Sequence, residues 1–200
     1  MTVTDGKQGT LDRREVVAAM IKARGDALII TGLGSTCYDF GTQDHPNTFY
    51  LWGGMGAAAM VGLGLALAQP TRRVVVVTGD GEMLMGLGAF ATIGAKAPKN
   101  LSLVVIDNEH YSETGMQPTH TRRGISMEGI AKACNFPSAE TVYTDAELAK
   151  AVPDIFNGKD LLFRDIKVDT TRYPMSIRLR DGAHIKNRFR ENLLGQKAFD

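Results

Sequence analysis

The sequence predicts an α/β fold: a doubly wound, mainly parallel sheet with helices on both faces. Three observations predict it. Short runs rich in Val, Ile and Leu alternate with helical stretches along the whole chain, and that order makes layered α/β architecture the expected solution. Val74 to Gly79, a helical segment and a second apolar run, Leu101 to Ile106, together have the length of a right-handed parallel crossover. Glycines sit where two of the runs end, at Gly32-Leu33-Gly34 and Gly79-Asp80-Gly81, as sharp exits from strands require. The 200 residues, 44% apolar, suit one domain over 11–200 behind a flexible arm of residues 1–10.

The elements follow in order. Leu11 to Ala23 reads as a helix with Val16, Val17, Met20 and Ile21 on its apolar face. Asp26 to Thr31 is a short strand, and Thr31 to Ser35 the turn after it. Phe49 to Trp52 leads into Gly53-Gly54-Met55-Gly56, then a small-residue helix to Gln69, ended by Pro70. That helix is apolar, but Gly53 to Ala68 is too short and glycine-rich to span a membrane. Four consecutive Val from Val74 fit a strand buried on both faces. Met83 to Ala97 is expected as one helix, with Met83, Leu84, Leu87, Ala91 and Ile93 on one side. Glu109 to His120 is polar, with Gly and Pro, and reads as a loop. Ile125 to Cys134 is a helix, Glu140 to Tyr143 a strand, and Asp145 to Phe156 a helix opened by a Thr144–Glu147 capping box. Leu161 to Val168 is a strand, Thr170 to Met175 a loop, and Ile185 to Leu194 a basic amphipathic helix.

A net charge of +1 argues against a nucleic-acid surface. Cys37 and Cys134, far apart and without metal-like spacing, suggest a reducing compartment. Residues 1–10 are polar and lack the apolar core of a signal peptide, so a cytoplasmic location is expected.

The chemistry concentrates between residues 74 and 108. In a strand–helix–strand unit both strands deliver their carboxyl ends to one rim of the sheet. Asp80 stands at one end and Asn108 at the other, with 25 residues between Gly81 and Asp107. A carboxylate and a carboxamide then meet near a helix N-terminus, which suits a phosphate. Oxygen ligands with phosphate oxygens suit Mg²⁺. The plainer alternative is an ordinary turn with Asp80 as a helix cap; the pairing with Asp107-Asn108 favours a magnesium–diphosphate site.

Gly-Asp-Gly, 25 residues and Asp-Asn resemble the diphosphate-binding motif of thiamine diphosphate enzymes. The resemblance implies that Asp80, Asn108 and the backbone carbonyl of His110 hold Mg²⁺. It places Gly81, Ser112 and Glu113 at the diphosphate, beside Gly79. Gly32, Gly34 and Ser35 would line the cofactor. Glu82 departs from the small residue many relatives carry, and its side chain must turn away from the phosphates. Trp52 to Gly56 resembles the segment that props the cofactor into its bent shape. That assigns the wedge to Met55 and a contact with the aminopyrimidine to the Gly53 carbonyl. Tyr111, Gln117 and His120 are candidates for the substrate side; Arg122 and Arg123 are either solvated or meet an anionic substrate.

Residues Asn108 to Thr121 and His184 to Phe189 make the chain similar to the β subunit of sulfopyruvate decarboxylase and the C-terminal part of phosphonopyruvate decarboxylase. Ser112 after Tyr111 and Met116 before Gln117 depart from the loop pattern of those relatives. The resemblance implies a 2-oxo acid decarboxylase subunit acting on a small anionic 2-oxo acid. In the family a Glu from a pyrimidine-binding domain activates the cofactor. That domain is not visible in these 200 residues, so a pyrimidine-binding α subunit is the expected partner. A 2-oxo acid oxidoreductase or carboligase subunit, and a non-catalytic nucleotide-binding module, remain as alternatives.

Overall fold

The first helix begins where its own side chain prepares it: the carboxylate of Asp12 accepts the N–H groups of Arg14 and Glu15, and α1 runs from Arg13 to Ala23. The computed structural model describes residues 8–175 and 180–199. After α1 come β1 (Leu28–Thr31), α2 (Ser35–Phe40), β2 (Thr48–Tyr50), α3 (Ala58–Ala68), β3 (Val74–Gly79), α4 (Asp80–Met85), α5 (Ala89–Lys96) and β4 (Leu101–Asp107). A small hairpin, β5 (His110–Tyr111) and β6 (Gln117–Pro118), leads to α6 (Met127–Ala133), β7 (Ser138–Val142), α7 (Asp145–Asn157), β8 (Leu162–Lys167) and α8 (Gly182–Leu194). The capping box of Thr144 and Glu147 opens α7.

Six strands form one sheet in the order β2-β1-β3-β4-β8-β7, and every pair in it is parallel. Buried on both faces, the central strands feed two cores. Ile29, Val75, Val77, Val104 and Ile166 pack with α1, α2 and α7. Leu28, Ile30, Val76, Leu103 and Phe163 pack with α3, α5 and α6. The strand alternation sends successive side chains to opposite faces, which is why an unbroken Val run serves both layers. The helix after β1 lies on the first face and those after β3 on the second. Between β1 and β3 the winding therefore reverses, and the crevice at their carboxyl ends is a topological switch point, where ligands of such sheets bind.

The expected helix from Met83 to Ala97 is in fact two. Gly86-Leu87-Gly88 separates α4 from α5, because Gly86 lies against the backbone of Gly56: a Cβ on Gly86 would stand 2.4 Å from the Gly56 carbonyl oxygen. The short α2 was not expected, and the hairpin β5–β6 orders part of the 109–120 stretch read as loop. Of the expected arm over 1–10, residues 1–7 lie outside the described residues; Gly9 is buried against the backbone of Lys167 and Val168, and Leu11 bridges Val168. No described helix is long and apolar enough to cross a membrane.

Candidate functional site

β3 and β4 lie in parallel register to their last residues, Thr78 beside Val105 and Gly79 beside Ile106. The next residues are therefore delivered together. Asp80 is buried, and its Oδ2 accepts a 2.6 Å hydrogen bond from Thr119. Burial, then the neighbouring charge of Asp107, pushes its carboxyl well above the usual range. On the β4 side Asn108 accepts the N–H of His110 on its Oδ1 at 3.1 Å. Glu109 between them adopts φ 62° and turns inward, fully buried. That reversal leaves Asn108 and His110 on the wall of the cleft while Glu109 pairs with Lys167 at 3.2 Å and Arg122 at 3.4 Å.

The cleft occupies about 700 Å³, its open mouth included, and is lined by Gly34, Ser35, Met55, Gly79, Asp80, Gly81, Glu82, Asn108, His110, Tyr111, Ser112 and Glu113 among others. Residues expected from four separate stretches are thus brought together. Tyr111 packs on Gly81 so closely that a Cβ there would stand 2.4 Å from its ring. Met55 is 37% exposed, so the core does not need it. Glu82 accepts the N–H of Leu33 on Oε2 at 2.8 Å. Its carboxylate faces the turn after β1, and burial raises its pKa. Gly32 is required beneath it, since a Cβ would overlap that oxygen; Gly32 supports the wall without lining it.

Three candidates stand elsewhere. Gly53 is exposed beside the cleft and does not line it. Gln117 donates from Nε2 to the Thr114 carbonyl at 2.9 Å and is exposed. His120, exposed, opens a turn of 3₁₀ helix, and its ring does not line the cleft. Arg122, read as either solvated or substrate-facing, pairs with Glu109.

Behind the cleft lies a polar network that the sequence did not signal. Thr119 and Thr121 join hydroxyls at 2.9 Å, and Thr121 donates to Asp107 at 2.9 Å. Asp107 accepts Lys167 at 2.7 Å. Burial opposes the charge of Lys167, but Asp165 and Asp107 outweigh it and raise its pKa. Burial and Asp107 raise that of Asp165. Asp165 and Lys167 alternate with Ile166 in β8, which reads from sequence as a plain strand. Arg13, at the start of α1, also lines the cleft and was missed.

The residues fit a magnesium–diphosphate group. Among the described residues no three His, Cys, Asp or Glu side chains are placed to hold a metal by themselves. One carboxylate, one carboxamide and main-chain oxygen suit a cation that brings phosphate and water oxygens of its own. Asp80 has no Lys or Arg pairing among the described residues, so a divalent cation would relieve its burial.

The fold and this cleft define a cofactor-binding α/β domain, and the chain belongs to the thiamine pyrophosphate enzymes: residues 31–166 match the family's C-terminal TPP binding domain. It is 38% identical over 131 residues to sulfopyruvate decarboxylase subunit beta of Methanocaldococcus jannaschii, covering 64% of this chain and 69% of that one. To phosphonopyruvate decarboxylase of Streptomyces viridochromogenes it is 40% identical over 128 residues, 64% of this chain but 32% of the other. In fold it is similar to a thiamine diphosphate-dependent 4-hydroxybenzoylformate decarboxylase of Rhodococcus jostii RHA1, with a TM-score of 0.68 at 19% identity, over 86% of this chain and 36% of that one. The chain therefore spans about a third of these longer proteins and most of the beta subunit.

Proposed function

We propose that this chain is the diphosphate-binding subunit of a thiamine diphosphate-dependent decarboxylase acting on a 2-oxo acid with a second anionic group, of the sulfopyruvate or phosphonopyruvate kind. The observation that carries it is the meeting of Asp80 and Asn108 at the ends of two adjacent strands, in one cleft with Met55. Asp80, Asn108 and the His110 carbonyl would hold Mg²⁺. Gly81, Ser112, Glu113 and the Gly34–Ser35 turn would border the diphosphate, and Met55 would prop the rings. Bound thiamine diphosphate supplies the electron sink on which a 2-oxo acid loses CO₂. Around it this chain contributes position and exclusion of water, with Tyr111 packed over Gly81, and Gln117 and His120, on the exposed loop outside the cleft, would meet substrate as it enters.

The carboxylate that activates the aminopyrimidine would come from a pyrimidine-binding α subunit, as the beta-subunit names of the relatives support. Titration of the chain with thiamine diphosphate and Mg²⁺, against ATP and NAD, tests the cofactor. Assay together with the product of a neighbouring gene, over a panel of 2-oxo acids, tests the reaction. Preference for ATP or NAD would overturn the reading, as would binding with no decarboxylation of any 2-oxo acid by the assembled pair.

A further inference from the structure

The cleft continues into a second cavity of about 820 Å³, its open mouth included, and one residue of the wall between them, Arg13, lies outside the segment that matches the family. Arg13, Ser35, Asn108, Ser112 and Glu113 line both; Met55, Asp80 and Gly81 line only the first. The shared residues therefore mark the end of the cleft remote from Met55. The far side of the second cavity is Thr170 to Tyr173. Both Arg13 and this stretch lie outside residues 31–166.

Arg13 is 6% exposed. Its Nε donates to Asp39 at 2.5 Å, and Arg14 donates to the other oxygen of Asp39 at 3.2 Å. Two guanidinium groups share one buried carboxylate, and the nearby Asp12, which bonds Tyr173, balances the second charge. The Arg13 Nη atoms have, among the described residues, only the Thr171 carbonyl at 3.5 Å, which is too long for a strong bond. Tyr173 holds the arrangement from outside, with the Arg14 guanidinium 4.4 Å from its ring centroid. The result is an anchored guanidinium, with donors to spare, on a cleft wall that otherwise carries Asp80, Glu82 and Glu113.

We infer that Arg13, fixed by Asp39, binds the terminal phosphate of the cofactor and makes the site select a diphosphate over a monophosphate. The inference rests on the cofactor reading above and adds a residue to it. A planar guanidinium held at Nε presents its outer edge to phosphate oxygens in the geometry that favours charge-assisted pairs. Asp39 has the positioning role, and Arg14 shares its carboxylate.

The test compares thiamine diphosphate with thiamine monophosphate, each with Mg²⁺, by calorimetry on the chain assembled with its partner subunit, or on the chain alone if it binds unaided. In Arg13→Gln the ratio of the two affinities should fall on the order of tenfold, with monophosphate binding nearly unchanged. Arg13→Lys keeps a cation and should fold where the Gln variant does not; a single ammonium cannot serve both Asp39 and phosphate, so the ratio should fall there too. An unchanged ratio in whichever variant folds overturns the inference and leaves the cofactor reading standing. Absence of binding to the unaltered protein overturns both.

Discussion

At the scale of single residues, Asp80 and Met55 separate anchoring from geometry. Asp80→Ala should weaken Mg²⁺-dependent binding of thiamine diphosphate by more than about 100-fold, with the thermal midpoint of the unliganded chain barely changed. It removes a carboxyl group whose burial is unfavourable, and Thr119 keeps its bond to Thr121. Equal affinity in variant and parent, read by titration calorimetry, would refute the assignment. Met55→Ala should lower turnover far more than affinity, since an error of about 1 Å in ring position can cost on the order of 10²-fold; steady-state kinetics at saturating cofactor decide it. Cys37 gives a third test. Burial pushes its thiol up to about 12, so a thiol reagent at pH 8 should modify Cys134 and spare Cys37 until the chain unfolds, as peptide mapping would show. Asp80 and Asn108 were legible because strand ends and their spacing are written in sequence. Arg13 was not, because its partners Asp39 and Thr171 are 26 and 158 residues away, and only the fold brings them together.

At the scale of elements, the break between α4 and α5 abuts the turn that follows Met55. Gly86 lies against Gly56, so the end of α4 braces the residue next to Met55, the proposed wedge. Gly86→Ala should cost about 1–3 kcal/mol through overpacking and depress turnover as Met55→Ala does; a variant with parental kinetics and melting temperature would show the contact to be incidental. Helical periodicity spans Met83 to Ala97 without interruption, so the sequence hides a break that only tertiary contact with another loop creates. The β8 network is hidden for a related reason, since Asp165 and Lys167 look like the polar alternation of a half-exposed strand. Asp165→Asn supplies a pH test. The folded carboxyl is raised above its unfolded value, so its stabilising contribution is complete below the unfolded pKa and is lost as pH rises through the folded one. Asn does not titrate, and the melting temperature of Asp165→Asn minus that of the parent should therefore grow from pH 4 upward. A difference independent of pH would mean that Asp165 keeps an ordinary pKa.

At the scale of the whole molecule, Trp52, Met55, Met60, Leu67, Met85 and Leu87 are all at least 37% exposed, and they come from α3, α4 and the loops beside the cleft. Apolar surface so placed favours association. The purified chain should therefore not decarboxylate 2-oxo acids alone with thiamine diphosphate and Mg²⁺. Full activity without another polypeptide would require a catalytic carboxylate within these residues. The doubly wound sheet was legible throughout, because Val, Ile and Leu runs and glycine exits are local signals; strand order was not, because pairing is set by crossovers. At one border of that sheet α8 sets Ile185 into one core and Phe189 into the other, with Phe189 edge-on to Phe49 at 5.6 Å, so it straddles the margin at β2. That closure has a consequence for the nascent chain. A ribosome releases β2 well over a hundred residues before α8, so in that interval the outermost strand presents unpaired peptide groups to whatever passes. Protection of that margin is thus deferred until α8 has emerged, and the interval before it is when the growing polypeptide is most exposed to pairing with its neighbours on the same message.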